Sequence, residues 1–162
     1  MIFGTVGTHT QGFDRLILAL DGWAQSGSEL VVIQTGASQY EPRHAEWFRF
    51  DSPERIESLM REARVVVTHA GAGSLLMALE CGGTVLAVPR LSSLGEHVDD
   101  HQLELCGALE EAGFIRVATD GASLQAMLLT IEEQPTMPGT ESRKKLIASV
   151  TQAITSLSPK PT

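Results

Sequence analysis

With 162 residues, 43% of them hydrophobic and 20% charged, the chain has the size and composition of one globular domain with its own core, and global disorder is excluded. Twelve Lys and Arg stand against 20 Asp and Glu, a formal charge of -8 that repels a phosphate backbone and argues against a nucleic-acid binder. Two cysteines, Cys81 and Cys106, are too few for a disulfide framework and lie in no metal-binding spacing, so they read as buried free thiols.

The first apolar run, residues 2–6, predicts a strand. It opens into a loop rich in glycine and threonine that contains Gly7, Thr8 and His9. Phe13, Leu16, Ile17, Leu20 and Trp23 then recur at helical spacing, and residues 30–33 and 46–50 read as the next strands. Ser52 before Pro53 is a helix start, with the hydroxyl at the N-cap and proline at the first helical position. Val65, Val66 and Val67 form a run that is apolar on both faces, as in a central parallel strand. Residues 69–74 read as a turn, 75–81 as a helix and 85–88 as a fifth strand stopped by Pro89. A polar loop over 90–98 precedes a helix begun by Asp99 and Asp100, with Leu103, Cys106, Leu109 and Ala112 as its apolar face. Residues 115–118 are the sixth strand, and Asp120 caps a helix through Leu124, Leu128 and Ile131. A last helix is expected over 141–156, and 158–162 is expected to be a mobile tail behind a single domain over 1–157.

Strands alternating with helices at this spacing predict an α/β fold, a doubly wound parallel sheet of about six strands. Ligands of such sheets sit beyond the carboxyl ends of the strands, which directs attention to the loops after strands one, four and five. The amino terminus has no basic stretch of the kind a secretory signal carries. The apolar stretch 65–88 is interrupted by His69, Glu80 and glycines, so it is not read as membrane-spanning.

The most informative segment is His69-Ala70-Gly71-Ala72-Gly73-Ser74, a glycine turn from a buried strand into a helix. Amides at a helix start favour an anion, and Ser74 adds a hydroxyl. The run is neither GxGxxG nor a P-loop. With Gly7 and Thr8 of the first loop it suits a diphosphate held mainly by backbone amides. The third loop supplies Arg90, Glu96, His97, Asp100, His101 and Gln102, good partners for sugar and ribose hydroxyls. Arg90 also has the guanidinium fork that would match a phosphate or a uronate carboxylate. No compact metal spacing is present, so no metal and no cofactor is expected. His9 is the candidate general base, and His44 reads as a surface residue.

The run 67–74, then Ala78-Leu79-Glu80, Val88-Pro89-Arg90, Gly95-Glu96-His97 and Asp100-His101-Gln102, resembles the glycosyltransferase family 28 C-terminal domain, the nucleotide-sugar-binding half of a GT-B enzyme. Gly4-Thr5-Val6-Gly7-Thr8 followed by Phe13-Asp14-Arg15-Leu16 resembles its stand-alone versions. These include the eukaryotic dolichol-linked N-acetylglucosaminyltransferase subunit and small bacterial exopolysaccharide transferase subunits, and Gly95-Glu96-His97 leans to the bacterial branch. The resemblance implies the donor-binding subunit of an inverting, metal-independent glycosyltransferase. It would pass a sugar from a UDP-sugar to an undecaprenyl-diphosphate-linked saccharide. It would work with a membrane-anchored, acceptor-binding partner and sit in the cytoplasm, peripheral to the inner face of the membrane through that partner. Many relatives carry a ribose-binding glutamate where this chain has Met77. That departure favours the alternative, a non-catalytic enhancer or stabiliser of a partner transferase.

Overall fold

The structure is a computed structural model that describes residues 1–98 and 101–131, together with Lys144, Ile147, Ala148 and residues 150–152. Its strands are β1 (Ile2–Thr5), β2 (Val31–Gln34), β3 (Glu46–Phe48), β4 (Val65–Thr68), β5 (Thr84–Ala87) and β6 (Arg116–Val117). Its helices are α1 (Asp14–Ala24), α2 (Pro53–Glu62), α3 (Ala72–Cys81), α4 (His101–Glu111) and α5 (Gly121–Thr130). All strand pairs are parallel, in the order β3-β2-β1-β4-β5-β6. The doubly wound six-strand sheet expected from the sequence is therefore present.

Alternation along the strands divides the core. Ile2, Val65, Val67 and Leu86 pack with Leu16, Ile17 and Leu20 of α1 and Leu124 and Leu128 of α5. Phe3, Val66, Val85 and Ala87 pack on the opposite face with Leu59 and Met60 of α2, Leu75 and Leu79 of α3, and Cys106 and Leu109 of α4. Cys106 is buried and Cys81 half-buried, both as free thiols. Burial lifts the Cys106 thiol to about 12, so it stays protonated. Among the described residues no helix is long and apolar enough to cross a membrane.

Most boundaries follow from local chemistry. Ser52 accepts the Arg55 amide ahead of Pro53, and Asp120 and Ser123 form a reciprocal capping box. Two expectations need correction. Helix α3 begins at Ala72 rather than at 75, so Gly73 and Ser74 belong to its first turn and the connecting turn is only 69–71. In α4 the buried residues are Leu105, Cys106 and Leu109, whereas Leu103 and Ala112 are exposed. Cys106 and Leu109 are thus buried as expected, and Leu105 takes the place of Leu103. The expected tail at 158–162 and most of the last helix expected over 141–156 lie outside the described residues. Val150 is buried against the α4 face of the core.

Asp21 is an inward-facing carboxylate that sequence reasoning missed. It is 2% exposed and accepts the amides of Arg43, His44 and Ala45 and the hydroxyl of Tyr40. Asp14, on the same face of α1 two turns nearer its start, accepts the amides of Gln39 and Tyr40. The β2–β3 connection is thereby fastened to α1. Burial alone would raise the Asp21 carboxyl, but these hydrogen bonds outweigh it and hold it below the usual range. A carboxyl depressed in the folded state contributes stability above its unfolded pKa and loses it as pH falls through the folded one. Asp21→Ala leaves several buried donors unpaired at once and is expected to cost about 3 kcal/mol. Thermal melting at neutral pH should drop by roughly 10 °C, with the difference narrowing as the pH is taken below about 4.

Candidate functional site

The strand order reverses between β1 and β4, which lie side by side with Thr5 opposite Thr68. A crevice opens outside the carboxyl ends of strands at such a switch point. The first loop and the 69–71 turn therefore face each other across it. A cavity of about 560 Å³ fills this crevice, lined by Gly7, Thr8, His9, His69, Gly71, Ala72, Gly73, Ser74, Arg90, His97 and Gln102, with Thr10. Most of the residues singled out from the sequence thus meet at one place. Another cavity, about 320 Å³, lies at the opposite edge of the sheet, where Thr84 and Arg116 begin β5 and β6. It has no glycine-loop-to-helix start.

Gly71 is the N-cap of α3 and caps no amide with a side chain. The first bond of the helix runs from the Leu75 amide to the Gly71 carbonyl. The amides of Ala72, Gly73 and Ser74 have no acceptor within the helix, and the dipole adds positive potential there. Ala70 precedes them with φ of 65°, a left-handed conformation that a non-glycine residue adopts at some cost. His69 is 8% exposed, and burial, followed by the charge of Arg90, pushes its pKa from 6.5 to about 4. The imidazole that walls this crevice is neutral at ordinary pH.

The third loop differs from expectation. Arg90 is 1% exposed. It donates to the carbonyls of Gly12 at 2.8 Å, Val6 at 3.1 Å and Glu96 at 3.3 Å, and its guanidinium carbon lies 4.8 Å from the Phe13 ring centroid. Both Nη atoms donate to carbonyls, whereas the buried Nε has no partner. Glu96 does not line the cavity. Its two oxygens accept Arg15 Nε and Nη2, each at 2.8 Å, and it also accepts the Leu91 amide. Burial would raise the Glu96 carboxyl, but Arg15 and the Leu91 amide outweigh it and lower it. Arg15 continues to the carbonyls of Thr119 and Pro89. Arg90 and Glu96 thus join the first and third loops, and of the two only Arg90 lines the cavity. Arg15, Phe13 and Asp21 were not picked as site residues. Their roles rest on partners tens of residues away, and only their charge or aromaticity beside a loop gave a signal.

His97 lines the cavity, with its ring centroid 5.9 Å from that of His9. His9 Nδ1 accepts the Gln11 amide at 3.2 Å. His9 also lines the cavity, and that bond favours the tautomer with its proton on Nε2. Gln102 commits its carbonyl oxygen to the Arg90 amide, which leaves its NH2 group for a ligand. His101 is exposed beside Glu104 and does not line the cavity. Asp100 lies outside the described residues. Met77 packs against the core and does not line the cavity. His44 is exposed, as expected of a surface residue. Among the described residues, no three His, Cys, Asp or Glu side chains converge as metal ligands would.

The sequence profile of the glycosyltransferase family 28 C-terminal domain matches residues 1–157. The chain belongs to that family. It is 32% identical over 129 residues to the human protein named UDP-N-acetylglucosamine transferase subunit ALG13. That match covers 73% of this chain but only 11% of the relative's length. Among solved structures, the solution structure of ALG13 superposes with a TM-score of 0.60 at 19% identity, covering 90% of this chain and 94% of that one. The crystal structure of the glycotransferase of kitacinnamycin gives 0.61 at 17% identity, covering 94% of this chain and 39% of that one. At these identities the structural likeness carries the fold alone. It agrees with a Rossmann-like fold that makes up 94% of the first of these chains and 39% of the second.

Proposed function

We propose that this chain is the donor-binding subunit of a two-component, inverting, metal-independent glycosyltransferase that uses a UDP-sugar. The observation that carries the reading is the crevice at the β1/β4 switch point. There the uncapped start of α3 and the first glycine loop face one cavity in a chain of this family. Amides of Ala72, Gly73 and Ser74 would hold the diphosphate and stabilise the charge that develops on the leaving UDP. The Ser74 hydroxyl, the Gln102 amide and His97 would complete the donor site. The described residues offer no carboxylate on the cavity wall, so the proposal assigns deprotonation of the acceptor to a membrane-anchored partner or to His9.

The acceptor would be a lipid-linked saccharide, and the lean to an undecaprenyl diphosphate carrier rests on Gly95-Glu96-His97. The named relative is a UDP-N-acetylglucosamine transferase subunit, which makes that sugar the first donor to test. The chain would be cytoplasmic and reach the membrane through its partner.

Calorimetry with UDP and transfer assays with and without the partner test the reading. Saturable UDP binding by the isolated chain is expected, with turnover appearing only in the pair. Full turnover by the chain alone would end the split-enzyme reading. No binding at millimolar UDP, with partner binding retained, would favour the non-catalytic enhancer. Met77, at a position where the family resemblance implies a carboxylate, is the feature on that side.

A further inference from the structure

Two glycines that face the crevice have one neighbour in common. A methyl carbon on Gly7 would stand 2.5 Å from His69 Cε1 and 2.8 Å from its Nε2. One on Gly71 would overlap Nε2 of the same ring and stand 3.0 Å from Cε1 and 3.1 Å from Cδ2. The imidazole is therefore held between two backbones, one from each side of the switch point. The conformations of the glycines separate cause from coincidence. Gly7 has φ of 73° and would favour glycine in any surroundings. Gly71 has φ of -67° and ψ of 135°, extended backbone open to any residue. Nothing in its own conformation asks for glycine; the ring beside it does. Gly73, one helical position past Ala72, meets nothing within 4 Å and so differs from both.

We propose that His69 is a positioning residue, a ring wedged between Gly7 and Gly71 that sets the gap between the first loop and the start of α3. On this account Gly71 is glycine in order to seat an imidazole, not to let backbone approach a diphosphate. Contact with the diphosphate falls to α3 from Ala72 onward. An uncharged ring suits the seat, because the site is buried and the Arg90 guanidinium adds positive charge beside it. The consequence for ligand binding rests on the donor-site reading above, whereas the seat itself does not.

A double-mutant cycle on the full chain separates the two. Gly71→Ala alone is expected to lower the melting temperature by several degrees and to weaken UDP binding at least tenfold. In the His69→Ala background the same added methyl group meets open space and should move melting by no more than about a degree. An equal loss with and without the ring would overturn the proposal. Should Gly71→Ala fail to fold, the double variant decides. It must fold and melt close to His69→Ala, and its failure to fold would overturn the seat.

The positioning role has its own readout in protein that is fully folded at low temperature. His69→Ala should bind UDP at least tenfold more weakly, and an unchanged affinity would overturn the role. Imidazole NMR adds a signature: the His69 ring should remain neutral at pH 5.5 in the wild type and titrate like a free histidine in Gly71→Ala. If the wild type bound no UDP, the donor reading would fall, while the melting cycle and the imidazole signature would still judge the seat.

Discussion

Arg90→Met is expected to lower the melting temperature by roughly 10 to 15 °C, the largest loss for any single side chain near the crevice. The guanidinium is 1% exposed and gathers three carbonyls, from Val6, Gly12 and Glu96, that belong to two different loops. Phe13 lies within cation–π distance of Arg90 at 4.8 Å and of Arg15 at 5.1 Å. Methionine fills much of the volume but leaves three carbonyls without donors in a dry region. Each orphaned group costs about 1–3 kcal/mol before relaxation. Some will be rehydrated through the crevice, so a total of about 4 kcal/mol is reasonable. Arg90→Lys should recover less than half of the loss, because one ammonium cannot reach carbonyls lying in different directions or present a flat face to Phe13. Calorimetric melting of the three proteins decides the matter. A drop below about 2 °C for Arg90→Met would show that the loops hold together without this strut.

What the sequence discloses and what it hides divide along the range of the interaction. Ser52-Pro53, the Val65 run and the Asp120 cap are local devices, and each element they announce is present where expected. The cavity lining was legible for a related reason. A parallel sheet delivers the loops after β1, β4 and β5 to one edge, so residues distant in sequence could be gathered by topology alone. Side-chain roles within that edge were not legible. Glu96 and Arg15 are 81 positions apart, and no local pattern says that a loop glutamate answers a helix arginine before it answers a ligand. Asp21 looked like an ordinary polar position on an amphipathic helix, although it binds three amides and a tyrosine hydroxyl. The start of α3 was placed late because glycine is a poor helix former in an interior and so suggests loop, whereas in a first turn its penalty is small beside the packing of Leu75 and Leu79.

The position of Gly73 leads to the second large effect. As the second residue of α3 it presents its amide at the crevice, and a side chain there would project into open space with no atom within 4 Å. A substitution at this position therefore leaves packing untouched. Valine in a first helical turn is no worse than glycine for the backbone, so Gly73→Val should melt within a degree or two of the wild type. Its branched side chain would nevertheless stand over the amides that the proposed diphosphate must reach. Hydrogen bonds to a charged group contribute about 1.5–3 kcal/mol each, and losing two of them weakens binding at least about 100-fold. Gly73→Ala, with a single methyl group, should fall between the two. Calorimetric titration with UDP on proteins of matched melting temperature measures this directly. The stability match matters, because it separates a blocked cradle from a damaged fold. Wild-type affinity in a folded Gly73→Val protein would remove the diphosphate from the start of α3.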